Sequence, residues 1–285
     1  MKTGMMKRSM DEISITELET TAAQLRARIV ANSSQSSTPH LGTCLSCVDI
    51  LTALYFSVLR INPEQPRDPL RDRCILSKGH GAPALFQVLA ERGYYAHEKM
   101  KHYGEDGGIF AEHPPTPEYL PGIEAATGSL GHGLPIGLGM ALSGRVNRES
   151  YNVFVVLGDG ECNEGSVWES AMMASSQQVS NLCAIVDFNK WQATGRSQDI
   201  LSLDPLVDKW RAFGWNAIEV DGHDTAALLE ALSKFPADNH KPTAIVAHTV
   251  KGKGVSFMED DNNWHYRIPT ADEVELAKRE LGIEG

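Results

Sequence analysis

The stretch YNVFVVLGDGECNEGSVWESAMMASSQQVSNLCAIVDFNKWQATG, residues 151–195, decides the fold. Its two short apolar runs, 153–157 and 182–188, are bounded by Gly, Asp or Asn, which is typical of buried strands in a parallel sheet. Between them, residues 164–178 place apolar side chains at helical spacing. Strand, turn, helix and strand form a βαβ unit. The predicted fold class is therefore α/β, with a parallel sheet flanked by helices.

Polar residues follow both strands of this unit. Asp159 comes after the first strand and Asn189 after the second, and open α/β sheets bind ligands at such carboxyl ends. Mg²⁺ takes hard oxygen ligands, usually one or two from protein together with substrate phosphates and water. Gly158 and Gly160 let a bulky anion approach the backbone, and the helix that begins near Glu164 directs N–H groups to the same place. These residues predict a site for Mg²⁺ and a diphosphate.

The same residues carry a family resemblance. GDG at residues 158–160, followed by Asn189, resembles the thiamine diphosphate fingerprint of the transketolase family. The pattern is most similar to the amino-terminal subunit of split, two-chain transketolases. The resemblance implies a thiamine diphosphate-binding fold, with Mg²⁺, Ca²⁺ or Mn²⁺ held by Asp159, Asn189 and the backbone carbonyl of Trp191. It also implies that Glu164, in the family's GDGxxxEG pattern, relays protons across paired active sites.

Two further histidine motifs resemble those of the family. HLGTCLSCVD resembles a segment in which His-Pro-Gly-Gly precedes Ser-x-x-Asp. His40 and Asp49 match in register, whereas Leu41 stands where Pro is usual. His80, in SKGHG, resembles the family's diphosphate- and substrate-contacting histidine. The resemblance implies that His40 lines the substrate channel and that His80 donates to a phosphate or to a developing oxyanion.

Residues 111–142 resemble the family's Gly-His-Pro-Glu stretch and the Thr-Gly-Pro-Leu-Gly-Gln-Gly that follows it. His113 aligns with a substrate-facing histidine, and Gly128 and Leu130 align with backbone that contacts the cofactor. His132 replaces the usual Gln, which leaves its role and the sugar substrate open. A rival interpretation takes GHGLPIG as a dinucleotide-binding loop, but its spacing is not GxGxxG and no strand precedes it.

The last motif, Trp264-His265, resembles the family's closing motif, whose histidine contacts diphosphate or substrate. Tyr266 replaces the usual Gly. The reaction implied by the resemblance is transfer of a two-carbon ketol unit from a ketose phosphate to an aldose. In that reaction the cofactor carries the hard step, and protons and hydroxyls are handled by a histidine cluster: His40, His80, His113 and His265.

The cofactor chemistry implies a partner chain. Thiamine catalysis needs a carboxylate that protonates the aminopyrimidine, and in full transketolases it lies in a second domain. The sequence stops at Gly285, so we expect a separate carboxy-terminal subunit to supply this Glu and the pyrimidine site, in an α₂β₂ assembly. Two alternatives stay open at this point. One is a subunit of a 2-oxoacid decarboxylase or dehydrogenase, and the other is a non-catalytic cofactor-domain scaffold.

Composition limits the other classes of partner. The chain has 285 residues, 42% of them hydrophobic, and a formal net charge of −11, which argues against nucleic acid and anionic membrane as partners. Its apolar runs stay below the roughly 18 residues of a transmembrane helix. The basic start MKTGMMKRSM leads into acidic residues, unlike a secretory signal. We expect a flexible leader over residues 1–12 and a single domain over 13–285.

Five scattered cysteines predict reduced thiols in the cytoplasm. Cys44 and Cys47 form a CxxC pair, which we interpret as small buried residues at a helix start, since no second pair or histidine cluster accompanies it. His248 and Lys251 could contact a phosphate, but Lys251, as a basic loop residue, is expected to be solvated. Asp224 is expected to cap a helix. The remaining patterns predict helices at 15–31, 45–59, 205–213 and 225–235, strands at 73–76, 216–220 and 243–248, and loops at 32–39 and 96–127.

Overall fold

The computed structural model describes residues 13–237 and 239–283, and within them five parallel strands form one sheet. The strand order is β1-β2-β3-β5-β4, so the predicted βαβ unit supplies the adjacent strands β2 and β3. The α/β fold class and the parallel sheet are confirmed. The strands are β1 (Arg73–Leu76), β2 (Val153–Gly158), β3 (Leu182–Phe188), β4 (Asn216–Asp221) and β5 (Thr243–His248).

Helices cover both faces of this sheet, as expected where parallel strands are joined by crossovers. The predicted leader, residues 1–12, lies outside the described residues, and the single domain over 13–285 stays a prediction. The helices are α1 (Ile15–Ser36), α2 (Leu41–Ser46), α3 (Val48–Ala53), α4 (Ala82–Glu91), α5 (Gly133–Asn147), α6 (Gly165–Ser176), α7 (Ser197–Leu201), α8 (Leu206–Ala212), α9 (Thr225–Ser233) and α10 (Ala271–Glu280).

Alternation along β2 divides the core into two layers. Phe154 and Val156 join the layer beneath α1, α3, α4 and α9, whereas Val153, Val155 and Leu157 join the layer beneath α5, α6 and α8. All five side chains are at most 1% exposed. This burial on both faces explains why the strand is a continuous apolar run, and it fixes the turn after Gly158 at the edge of the sheet.

The predicted loop at 32–39 is wrong, because α1 continues to Ser36. Small polar side chains disfavour helices when their hydrogen bonds compete with the backbone, but here they are satisfied within the fold. Asn32 donates from Nδ2 to the carbonyl of Met100 (3.0 Å), and Ser33 donates to the carbonyl of Thr38 (2.7 Å). A distant partner, Met100, and a local one, Thr38, therefore satisfy the polar side chains that extend the helix.

The helix predicted at 45–59 begins earlier, at Leu41, and it is interrupted at Cys47 between α2 and α3. Its start is set by His40, whose backbone N–H donates to the carbonyl of His265 (2.7 Å). Cys44 and Cys47 are fully buried, and burial raises the pKa of Cys47 to about 11. Cys44 in α2 and Cys47 between α2 and α3 are small buried residues, as predicted, and thiols held neutral by burial are poor nucleophiles.

Two glycines of α5 provide a matched test of close packing near the cleft. A Cβ on Gly133 would lie 2.8 Å from Cα of Ser77, whereas a Cβ on Gly139 would meet nothing within 4 Å. We expect Gly133→Ala to lower the free energy of unfolding by about 1–3 kcal/mol. Gly139→Ala should raise it by about 0.5–1 kcal/mol, because alanine favours a helix interior. Urea unfolding checks both, and equal effects would contradict the packing described here.

Candidate active site

A cleft of about 360 Å³ opens at the carboxyl ends of β1, β2 and β3. A neighbouring cavity of about 290 Å³ is lined by Arg196, Ser197 and His248, but by none of the predicted site residues. The fold therefore gathers the predicted chemistry in one place. Of the predicted site residues, the cleft is lined by His40, His80, Gly128, Leu130, Gly158, Asp159, Gly160, Glu164, Asn189, Trp191 and His265.

The loops around the cleft touch each other through glycines. A Cβ on Gly79 would lie 2.5 Å from the carbonyl oxygen of Thr127, so only glycine lets these two loops meet. A Cβ on Gly160 would lie 2.8 Å from Cγ of Gln192, across the turn that carries Asp159. These close approaches bring four segments of the chain together at the rim of one cleft.

Asp159 is buried, with 2% of its surface exposed, and its Oδ2 accepts a hydrogen bond from Ser197 Oγ (2.7 Å). Burial raises its pKa to about 6, and the nearby charge of Asp187 adds to the effect. An ionised carboxylate in this position is compensated only in part, and a divalent cation would supply the rest. The buried carboxylate of Asp159 is therefore suited to bind a metal ion.

Asn189 and Trp191 lie beside this carboxylate in the cleft. Asn189 donates from Nδ2 to Ser46 Oγ (3.2 Å) and accepts at Oδ1 from the backbone N–H of Trp191 (3.0 Å). Within residues 13–237 and 239–283, no three His, Cys, Asp or Glu side chains form a metal cluster. A metal held here would draw on amide, carbonyl and ligand oxygens, which is the coordination Mg²⁺ uses with phosphates.

The predicted histidine cluster comes together at one side of the cleft. The ring centroid of His40 lies 5.1 Å from that of His265, 5.6 Å from that of His80 and 6.3 Å from that of His113. The ring centroids of His80 and His265 are 5.8 Å apart. His113 is outside the lining of the cleft but contacts it through Gly128, whose Cβ would lie 3.1 Å from the His113 ring.

Burial keeps the imidazoles of His40, His80 and His265 neutral near pH 7. It lowers the pKa of His40 to about 4, helped by the charges of His113 and Lys251. It lowers the pKa of His265 to about 3, helped by Lys251, and the pKa of His80 also falls through burial and the charge of Lys78. Each neutral ring can donate from one nitrogen and accept at the other, which suits recognition of sugar hydroxyls.

These shifts predict an acid-dependent loss of stability. The folded pKa of His40, about 4, lies below the ordinary value of 6.5, so the folded state binds fewer protons than the unfolded state. Stability is therefore full above pH 6.5 and falls as the pH drops towards 4. We expect the His40 C2–H resonance to stay constant from pH 8 to 5.5, where a free histidine titrates. A midpoint near 6.5 would contradict a buried neutral cluster.

His40 also has an unusual backbone. Its φ of 73° is left-handed, although it is not glycine, and such conformations cluster at functional sites where the surroundings enforce them. Here the enforcement is the hydrogen bond from its N–H to the carbonyl of His265. The two histidines are thereby joined through backbone as well as side chain.

Lys251 was predicted to be solvated, and this was wrong. It is 1% exposed and lines the cleft. Its Nζ donates to Asn262 Oδ1 (2.6 Å) and lies 3.1 Å from His265 Nδ1, and burial lowers its pKa to about 8, helped by Lys78. The two glycines that follow it in KGKG, Gly252 and Gly254, could have indicated a loop that folds back over a ligand.

Glu161 was missed by the sequence interpretation. It is 1% exposed, and its carboxylate accepts hydrogen bonds from the backbone N–H of Gly131 (2.9 Å), the backbone N–H of Gly158 (3.1 Å) and the hydroxyl of Ser77. Ser77 Oγ in turn accepts from the N–H of Gly133 (3.0 Å). One carboxylate therefore joins three of the loops that line the cleft.

Lys78 was also missed. Its Nζ is buried against Asp187 Oδ2 (2.5 Å) and the carbonyl of Thr43 (2.9 Å), and Asp187 also accepts from Ser46 Oγ (2.6 Å). The Lys78–Asp187 pair is nearly inaccessible, at 1% and 0% side-chain exposure. A neutral lysine–aspartate ion pair thus lies beside the cleft next to Gly158.

Glu164 differs from its buried neighbours. It is the N-cap residue of α6, exposed at the rim of the cleft. Its predicted role across paired active sites stays a prediction that concerns an assembly.

Comparison with known proteins identifies this arrangement. Residues 18–285 match the family described as transketolase, thiamine diphosphate binding domain. The chain belongs to the transketolase family. It is 40% identical over 264 residues to an apulose-4-phosphate transketolase subunit of Phocaeicola vulgatus, covering 93% of each protein. It is 40% identical over 246 residues to the 6-deoxy-6-sulfo-D-fructose transketolase subunit SqwG of Clostridium sp., covering 86% of this chain and 89% of that one.

Longer transketolases match over part of their length. Human transketolase is 37% identical over 256 residues, which are 90% of this chain and 40% of the human protein. The structure of transketolase from Leishmania mexicana superposes with a TM-score of 0.87 at 26% identity, over 93% of this chain and 41% of that one. The thiamine diphosphate-binding fold and the resemblance to an amino-terminal transketolase subunit are confirmed.

Family membership decides between several of the alternatives. Transketolases are transferases, so the predicted class of enzyme is confirmed, and the comparisons favour it over a 2-oxoacid decarboxylase or dehydrogenase. Thiamine diphosphate is the cofactor of the matched domain. No helix within residues 13–237 and 239–283 is both long and apolar enough to cross a membrane.

Proposed function

We propose that this chain is the diphosphate-binding subunit of a two-chain transketolase. It would act with a second chain to move a two-carbon ketol unit from a ketose phosphate to an aldose. The single observation that carries this proposal is the cleft itself. In this cleft a buried carboxylate, Asp159, which a divalent cation would stabilise in its ionised form, lies near the neutral histidines His40, His80 and His265.

The metal and the cofactor have distinct residues to hold them. We assign the divalent cation to Asp159, Asn189 and the carbonyl of Trp191, which lie together in the cleft. Gly158 and Gly160 would admit the diphosphate to the backbone. Lys251, whose pKa of about 8 leaves it mostly protonated at pH 7, would balance part of the diphosphate charge. When bound, thiamine diphosphate supplies the carbanion chemistry of ketol transfer.

The histidines would recognise the sugar. Neutral imidazoles that both donate and accept can hold hydroxyls and carry a proton between substrate oxygens without a net charge in the cleft. His40 and His265, joined through the backbone of His40, would act as a fixed pair. His80 lies beside them and would donate to a phosphate or to an oxyanion. His113 would extend this surface towards the acceptor.

The carboxy-terminal chain would supply the pyrimidine site and the catalytic glutamate, in an α₂β₂ assembly. Relatives of similar length are named as subunits of a transketolase, which supports a second chain. The exposed Glu164 would then meet its counterpart across the two-fold axis. Five free, buried cysteines fit a cytoplasmic setting, where thiols stay reduced. Two relatives are named for different sugars, apulose-4-phosphate and 6-deoxy-6-sulfo-D-fructose, so the sugar phosphate used here is to be determined by assay.

The direct test is native purification of this chain with Mg²⁺ and thiamine diphosphate, read by mass spectrometry. We expect a stoichiometric companion chain, and we expect the complex to transfer a ketol unit from a ketose phosphate to an added aldose. Recovery of the chain without a companion and without bound thiamine diphosphate would favour the non-catalytic scaffold. A complex that decarboxylates a 2-oxoacid and transfers no ketol unit would overturn the proposed reaction.

A further inference from the structure

His223 lies outside the cleft, in the turn between β4 and α9, and neither cofactor nor sugar chemistry assigns it a role. Its Nδ1 is 2.6 Å from Asp49 Oδ2, and its Nε2 accepts a hydrogen bond from the backbone N–H of Val250 (2.8 Å). The side chains of His223 and Asp49 are each 10% exposed. The charged groups around it are Asp49 and Arg26, which binds Asp49 through two hydrogen bonds (2.5 and 3.0 Å).

These contacts fix the tautomer of His223. The backbone N–H of Val250 can only donate, so Nε2 of His223 must carry a lone pair. The ring proton is therefore on Nδ1, where it is donated to Asp49. A carboxylate that orients an imidazole so that its far nitrogen accepts a bond is a recurrent way to hold a ring in one state. Here the hydrogen bond comes from the backbone N–H of Val250, and it holds the loop that follows β5.

That loop carries Lys251 into the cleft. The residue before it, Val250, is held by His223, and the residue after it, Gly252, donates to the carbonyl of Gly42 (2.8 Å). Lys251 is protonated near pH 7, so its Nζ donates to Nδ1 of His265 (3.1 Å). His265 must then carry its own proton on Nε2. Two histidines 42 positions apart in sequence are thus linked through one residue of backbone and one lysine.

We propose that His223 is a positioning residue for the active site. By accepting from Val250 N–H, it keeps Lys251 against His265 and so holds His265 in the Nε2–H tautomer. The effect of His223 on catalysis deepens the proposed function and rests on it. The tautomers of His223 and His265 do not depend on the proposed function. Without an acceptor, the half-buried N–H of Val250 loses its hydrogen bond, and the backbone there shifts to find another.

Glutamine and asparagine separate the two contacts of His223. The amide of His223→Gln reaches the former position of Nε2, so its oxygen can still accept from Val250 N–H. The amide of His223→Asn reaches only the former position of Nδ1, so it can donate to Asp49 but leaves Val250 unpaired. The two variants differ by one methylene and remove opposite partners, so each is the control for the other. A general effect of losing the imidazole would appear in both.

The experiment is long-range ¹H–¹⁵N correlation of the full chain labelled with ¹⁵N-histidine at pH 7.5. We expect wild-type His223 as the Nδ1–H tautomer and His265 as the Nε2–H tautomer. His223→Gln should leave the His265 signals unchanged, whereas His223→Asn should convert them to a tautomer mixture. Lys251→Met should convert His265 in the same way while leaving His223 as in the wild type. If His223→Asn does not fold, the wild-type tautomers and Lys251→Met still decide.

In the assembled enzyme, kcat/KM should fall about 10- to 100-fold for His223→Asn, as small misplacements in active sites do, and stay within about twofold for His223→Gln. The inference is overturned by wild-type His223 in the Nε2–H tautomer, or by a folded His223→Asn variant with wild-type His265 signals. Failure of ketol transfer by the wild-type complex would overturn the proposed function instead. The tautomers are measured without partner, cofactor or substrate, so the two failures are distinguishable.

Discussion

The variant Asp159→Asn is expected to lose metal-dependent cofactor binding while the isolated chain becomes no less stable. Asparagine keeps the shape and can still accept from Ser197, but it removes the negative charge that attracts the cation. A bound metal contributes several kcal/mol to charge stabilisation, and each 1.36 kcal/mol is a factor of ten in rate. We therefore expect activity of the assembled enzyme to fall by at least about 10³-fold.

The opposite effect on stability identifies the cause. Burial raises the pKa of Asp159 to about 6, so at pH 7.5 its ionised form opposes folding of the metal-free chain. Asparagine removes that opposition, as often occurs where a functional site is strained. The measurement is the melting temperature with and without Mg²⁺ and thiamine diphosphate. The control is Asp199→Asn, an exposed neighbour on α7, which should leave the ligand-induced shift intact. A wild-type shift in Asp159→Asn would contradict the metal assignment.

Replacement of Glu161 is expected to cause the second large effect, on both stability and cofactor affinity. In Glu161→Ala three donors, including the N–H groups of Gly131 and Gly158, lose their acceptor. Unsatisfied buried groups cost about 1–3 kcal/mol each, so we expect a loss of at least about 3 kcal/mol. Glu161→Gln should lower the free energy of unfolding by about 1–3 kcal/mol. Its amide oxygen can still accept hydrogen bonds, but the amide nitrogen that replaces the other oxygen cannot.

The control for this effect is Glu164→Gln. Glu164 is exposed and Glu161 is buried, although the two lie one turn apart. In the isolated chain, Glu164→Gln should leave urea unfolding within about 0.5 kcal/mol of wild type. Titration calorimetry should show weaker binding of Mg²⁺ and thiamine diphosphate for both Glu161 variants. Wild-type unfolding and binding in Glu161→Ala would show that the three loops are held by other contacts.

The sequence predicted the elements whose causes are local. The apolar runs of β2 and β3 are buried on both faces, so their composition alone indicated parallel strands. Asp224 was predicted to cap a helix, and its carboxylate accepts from the N–H of Ala227 (3.0 Å). Asp159 and Asn189 follow those strands directly, so the sheet register placed both at one edge. For the histidines, family motifs were needed, because they are far apart in sequence.

The sequence could not predict features that depend on distant partners. α1 extends to Ser36 because Asn32 is satisfied by Met100, a contact between residues that no local pattern relates. Lys251 is buried because Asn262 and His265 accept hydrogen bonds from its ammonium group. A basic loop residue without such partners is usually solvated. Glu161 looked like an ordinary turn residue, since its importance lies in joining three loops that meet only after folding.

The central claim is that this chain holds one half of a catalytic site. The most direct test is a ketol-transfer assay, with Mg²⁺, thiamine diphosphate, a ketose phosphate and an aldose, of the purified chain, of its co-purified companion and of the two mixed. Neither chain alone should show turnover, and activity should rise with added companion until the two are equimolar. Full turnover by this chain alone would contradict the account.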